Sequence, residues 1–273
     1  MNDSNHTSHD GVKSVKLIPY DALELRAPYL ISGLPSIGYV AKLTADYLKT
    51  QLNATLFEEI YSPAFPPYVT IKEDGTVELL KNELYFWKNV KSEHDLIIFT
   101  GNTQAVTPEG QFNIVDEVLH RAERLDVRRI VSIAAFVCNE RPEAPRVFGV
   151  VTNPELTGDL KKLGIVPMDS GSIAGTNGLL FGYAQLRGIQ GVCLLGETSA
   201  HATPSGQVVI DAVGAKAVLE VLTRMLDIEV DMDPLEKQAQ MTEDLVSKME
   251  GMRRRAIQEL QRADDREVPR YYV

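Results

Sequence analysis

Three nearly unbroken apolar runs constrain this chain most: Asp95–Thr100 (DLIIFT), Arg129–Val137 (RIVSIAAFV) and Gly191–Gly196 (GVCLLG). A strand with one wet face alternates apolar and polar side chains. A run that is apolar at almost every position belongs to a strand covered on both faces. Between these runs the spacing changes to that of helices. Ile37–Leu52 carries Ile37, Val40, Ala41, Thr44, Tyr47 and Leu48 on one side, and Gln111–Leu125 and Val208–Leu226 read the same way. Buried strands alternating with amphipathic helices predict an α/β fold with a mostly parallel sheet flanked by helices.

Shorter elements fill the gaps. Val15–Tyr20 and Tyr29–Ser32 read as strands, Arg146–Thr152 as a further buried strand, and Ile165–Pro167 as a short extended piece. Asn153-Pro154 opens a helix that Gly164 ends, and Gly178–Leu186 is helical. Residues 54–87 differ: Ala54–Tyr61, Tyr68–Ile71, Val77–Leu80 and Leu84–Trp87 are β-rich and separated by turn residues, a small β-rich insertion. Asp74-Gly75 reads as its hairpin turn.

Four segments follow from this rhythm: a polar, disordered leader (1–12), an α/β domain (13–230), a helical stalk (234–263) and a tail (264–273). Asp231-Met-Asp-Pro234 punctuates the end of the α/β domain, with Pro234 at a first helical turn. From there to Ala263 the chain has no further proline, and Met241, Leu245, Met249, Met252, Ala256 and Leu260 recur at steps of three or four. That is one narrow apolar stripe on a helix of roughly 45 Å. Such a helix is not stable alone in water, so it packs on its own domain or pairs with copies of itself. Self-association is the favoured expectation.

A formal net charge of −10 and no apolar stretch of membrane-spanning length argue against nucleic acid and membrane partners. Cys138 and Cys193 sit in apolar runs without metal-ligand spacing. They read as buried thiols of a reducing, cytoplasmic compartment, with a disulfide as the alternative. No metal and no cofactor are expected. His6 and His9 belong to the solvated leader.

Four loops at strand ends are the candidate sites within the domain, since α/β proteins place ligands at the carboxyl ends of parallel strands. Gly171–Gly178, before a helix, has glycines suited to cradling an anion but lacks a P-loop lysine, so close packing is the competing explanation. Glu197–His201 offers a Glu197/His201 acid/base pair or a Ser199–His201 dyad, without a nucleophile elbow. Thr100–Gln104 supplies amides and hydroxyls only, and Asn139–Pro142 a solvated Glu140–Arg141 pair. The first three of these loops support an enzyme of nucleoside phosphorylase or hydrolase type as the alternative reading; the primary expectation is a non-enzymatic binding protein with no catalytic residue.

The chain closes on Tyr271-Tyr272-Val273 behind a charged stem. An aromatic pair beside a carboxylate either folds back on its own domain or suits capture of a chain end in a partner's pocket. Together with Pro28–Val40 (PYLISGLPSIGYV), Phe99–Gln104 (FTGNTQ), Gly175–Leu180 (GTNGLL) and Leu194–Thr198 (LLGET), in that order, the tail makes the chain resemble the proteasome assembly chaperone family in its archaeal form. The resemblance covers roughly residues 13–230, with the long helix and a hydrophobic–Tyr–any tail beyond. It implies a core similar to nucleoside phosphorylases, homo-oligomers, and assembly or activation of the 20S proteasome. It further implies that Tyr271, Tyr272 and Val273 dock between adjacent proteasome α-subunits.

Overall fold

Within the strand β2 (Tyr29–Gly33), Leu30 and Ile31 are both fully buried, on opposite sides of the sheet. The same holds for Ile97 and Ile98 in β7 (Leu96–Gly101), Ile130 and Val131 in β8 (Arg129–Val137), and Cys193 and Leu194 in β11 (Gln190–Thr198). These four strands run parallel in the order β7–β2–β8–β11 and form the centre of a nine-stranded sheet. In the computed structural model, residues 11–138, 144–199 and 208–267 are described.

Helices cover both faces. On one side lie α1 (Val40–Gln51) and α5 (Ala212–Leu226), on the other α2 (Pro108–Arg124) and α4 (Gly175–Ala184). A short helix, α3 (Thr157–Lys162), follows the strand β9 (Val147–Val151). Both flanks join the central strands in antiparallel fashion. On one side β1 (Lys13–Lys16), β3 (Thr55–Tyr61) and β6 (Asn82–Trp87) extend it from β7. On the other, β9 runs against β11 and carries the short β10 (Val166–Pro167). The β-rich stretch therefore divides: β3 and β6 widen the main sheet, and only β4 (Val69–Ile71) and β5 (Val77–Leu79) stand apart as a hairpin. At its turn, Gly75 holds a φ of 80° and donates its N–H to the Lys72 carbonyl.

Several helix starts differ from the periodicity. The hydrophobic spacing places α1 at Ile37, but Gly38 and Tyr39 hold φ values of 61° and 55°, and the α-helix begins at Val40. Any side chain at position 38 would come within 2.9 Å of Thr198 Oγ1, so glycine is required there for both reasons. Helix α5 begins at Ala212 rather than Val208, because Asp211 accepts the Gly214 N–H at 3.1 Å and so caps the first turn. Helix α2 begins three residues before Gln111, with Thr107 as cap and Pro108 in its first turn. Tyr20, placed in the first strand by its spacing, lies in a 3-10 turn beyond β1.

The last helix, α6, spans Asp233–Glu267. Its first turns pack on α5, Leu235, Ala239, Thr242 and Val246 are buried, and Lys216 on α5 pairs with Glu236 at 2.7 Å. Beyond Val246 none of the described side chains of α6 is buried.

Candidate functional site

The parallel strands bring the β2, β7 and β11 loops and the start of α4 to one edge, where side-chain hydrogen bonds lock them together. Asn177 in α4 donates its amide to the Leu34 carbonyl at 3.2 Å and accepts the Leu34 N–H at 3.1 Å. Gln104, after β7, donates to the Pro35 carbonyl and accepts the Thr176 N–H at 2.9 Å. The expectation of glycines for close packing is met at Gly178, where a Cβ would sit 2.2 Å from the Ile173 carbonyl.

At the end of β11 the groups are equally engaged. Thr198 donates its hydroxyl to Asp211 at 2.6 Å, and Asp211 N–H meets the Gly38 carbonyl at 2.7 Å. Glu197 accepts from the Arg146 backbone N–H at 3.0 Å and from its guanidinium at 2.8 and 3.2 Å. Those Arg146 hydrogen bonds hold the Glu197 carboxyl below the usual carboxylate range, although burial opposes the shift. A carboxylate so held is a poor proton shuttle near neutral pH. Ser199 Oγ is occluded and unbonded among the described residues, while His201 and Asn139–Pro142 lie outside them. The edge is thus built as a hydrogen-bonded joint between elements, and no nucleophile–base pair is assembled among the described residues.

The two cysteines are free thiols. Cys193 is fully buried, and burial pushes its thiol far above the ordinary range. Burial, reinforced by the nearby Glu197, also raises Cys138. Among the described residues, no group of three His, Cys, Asp or Glu gathers to hold a metal, and no helix is long and apolar enough to cross a membrane.

The stripe named on α6 lies on another side of the helix from the packed one. Met241, Leu245 and Met252 are exposed at 71%, 44% and 64%, and Met249 is half-buried. The side chains of Ala256 and Leu260, and the whole of Tyr271, Tyr272 and Val273, lie outside what the structure describes. Two features escaped sequence reasoning. The packed stripe, Leu235, Ala239, Thr242 and Val246, has helical spacing but is diluted by alanine and threonine. The buried cluster of Tyr20, Glu58, Glu117 and Arg121 joins three segments far apart in the chain, and only its Glu117–Arg121 pair, four residues apart on α2, is local.

Comparison with known proteins agrees with this architecture. An uncharacterized protein of Methanocaldococcus jannaschii is 34% identical over 230 residues, covering 84% of this chain and 85% of its own. The crystal structure of Pyrococcus furiosus PbaB, an archaeal proteasome activator, is 35% identical with a TM-score of 0.79, covering 88% of this chain and 99% of its own. Pyrococcus furiosus PbaA, an archaeal homolog of proteasome-assembly chaperone, is 26% identical with a TM-score of 0.68, over 89% of this chain and 99% of its own. The family model for PAC2 matches residues 30–250, and the chain belongs to the PAC2 family.

Proposed function

We propose that this protein binds the 20S proteasome as an assembly chaperone or ATP-independent activator, without an enzymatic step of its own. The carrying observation is the likeness to an archaeal proteasome activator along 99% of that chain and 88% of this one. In this reading the α/β domain is a rigid head and α6 a stalk. Tyr271, Tyr272 and Val273 are the docking element, set between adjacent α-subunits of the ring. A tyrosine pair offers apolar area and hydroxyls at a low cost in rotamer entropy. The chain-end carboxylate suits a lysine or a set of backbone N–H groups. Copies associate through the exposed stripe of α6, and several tails held on one oligomer gain by multivalency wherever they reach the same particle. The cytoplasm, where the proteasome works, is the expected compartment. The enzyme alternative is disfavoured by the engagement of Glu197 with Arg146.

The test is binding of the full chain and of a 1–270 truncation to purified 20S proteasome, with peptide hydrolysis as the second readout. Binding by the full chain alone supports tail docking. Faster hydrolysis on binding marks an activator, and unchanged hydrolysis an assembly role. Equal binding by both chains overturns the tail model, and binding by neither overturns the proteasome reading.

A further inference from the structure

Helix α6 has two apolar sides with different fates. Leu235, Ala239, Thr242 and Val246 are spent on the chain's own domain, while Met241, Leu245 and Met252 are exposed. An exposed methionine-rich seam on a helix that runs on past its domain is a docking face. The charge pattern along α6 says what fits it. Residues 233–250 carry five acidic and two basic side chains, whereas residues 251–262 carry four arginines and one glutamate.

We propose that the seam pairs with the same seam of a second copy, with the two α6 helices antiparallel. This inference rests on the self-association reading above and adds its direction. Two parallel helices in register would lay acidic half along acidic half and arginine-rich half along arginine-rich half. Like charges so placed oppose association. Antiparallel pairing sets the acidic half of one helix along the arginine-rich half of the other, and brings Asp244 near the partner's Arg255 twice by symmetry. Macrodipoles also oppose one another favourably in this arrangement.

The seam's spacing accommodates the reversal. Its positions advance by four, four, three, four and four, from 241 to 260, and so read the same in both directions. Positions 241 and 260, 245 and 256, and 249 and 252 lie symmetrically about the Glu250–Gly251 bond. A twofold axis there sets each of them against its counterpart. Eleven residues for three steps is close to the natural period of a straight α-helix, so the pair needs little supercoiling.

One consequence bears on the tails. Antiparallel pairing sends the two chain ends to opposite ends of the stalk, on the order of 50 Å apart at residue 267. A single pair then offers one tail to any one ring, and several tails on one ring require several pairs.

Cysteine cross-linking in a Cys138→Ser background, with diamide as oxidant, tests the direction. Cys193 is fully buried and stays silent. In the antiparallel pair two copies of Leu245→Cys sit roughly 16 Å apart along the axis, beyond disulfide reach. The double variant Leu245→Cys/Ala256→Cys instead yields a covalent dimer. Ready cross-linking of Leu245→Cys alone overturns the antiparallel direction and leaves self-association standing. A monomer at all concentrations, for the full chain in sedimentation, overturns self-association itself. As a second measurement, Asp244→Lys weakens the pair by about fivefold, and adding Arg255→Glu restores it. In a parallel pair the double swap restores nothing, and that result also overturns the proposal.

Discussion

Arg121 lays two guanidinium N–H groups on one carboxylate oxygen of Glu58, at 2.9 and 2.8 Å, with the two side chains 6% and 0% exposed. The other Glu58 oxygen accepts the Tyr20 hydroxyl, and Arg121 also reaches the Glu117 carbonyl at 2.6 Å and its carboxylate. The cluster ties β3 to α2 beneath the 3-10 turn that carries Tyr20. Removing one member of a buried charge cluster leaves the others unpaired, which costs more than the pair contributes. Arg121→Ala should therefore lower the unfolding free energy by about 3–5 kcal/mol. Urea denaturation should show the midpoint fall with the slope unchanged. A loss below about 1 kcal/mol would mean that water replaces the guanidinium.

Asn177 presents a second, neutral case. Its amide satisfies both backbone groups of Leu34, a residue whose side chain is itself fully buried. Asn177→Ala should orphan a buried N–H and a buried carbonyl and cost about 2–4 kcal/mol. Asn177→Asp keeps the acceptor and loses the donor, so the N–H bond survives and the Leu34 carbonyl is orphaned. Hydrogen exchange at the Leu34 amide reads this directly. Protection retained in the alanine variant would show that the amide does not depend on Asn177.

The Glu197–Arg146 pair makes a prediction about acid. The folded protein holds the Glu197 carboxyl below its ordinary value, chiefly through the Arg146 hydrogen bonds. A depressed carboxyl contributes stability that is present above the ordinary value, near 4.3, and lost as pH falls through the folded one. Glu197→Gln should lower the melting temperature by a few degrees at pH 7, and the gap should narrow below about pH 4. An unchanged gap at pH 3 would mean that the substitution acts through packing. The same variant separates the two functional readings, because proteasome binding should survive it.

How far these features were legible follows from how local each one is. The central strands are readable because being apolar at successive positions is a local property, and Ile97 and Ile98 declare burial on both faces by themselves. Direction is not local: Val147–Val151 is as apolar as its neighbours, yet it runs against β11, and nothing within the strand says so. Helix starts were misplaced where polar residues override periodicity, as Asp211 does by capping α5 past Val208 and Ile210. Glu197 was readable as a carboxylate after a strand, but its role depends on Arg146, which lies 51 positions away in the chain. The family-bearing segments were readable because Asn177, Gln104 and Gly38 each meet a demand of the joint that few other residues could meet.

The two sides of α6 should separate by mutation. Leu235 is fully buried between α6 and the domain, so Leu235→Ala should cost about 2–5 kcal/mol through lost burial and the cavity left behind. Met241 is mostly exposed in the single chain, so Met241→Ala should change the stability of a dilute sample by no more than about 0.5 kcal/mol. In concentrated samples Met241→Ala should acquire a cost of its own, while that of Leu235→Ala stays. Burying a seam between copies makes the melting temperature rise with concentration, and Met241→Ala should flatten that rise. Calorimetry at two concentrations a hundredfold apart decides the matter. If Met241→Ala melts like the parent at both, the seam is not where the copies meet, and the packed stripe accounts for α6 on its own.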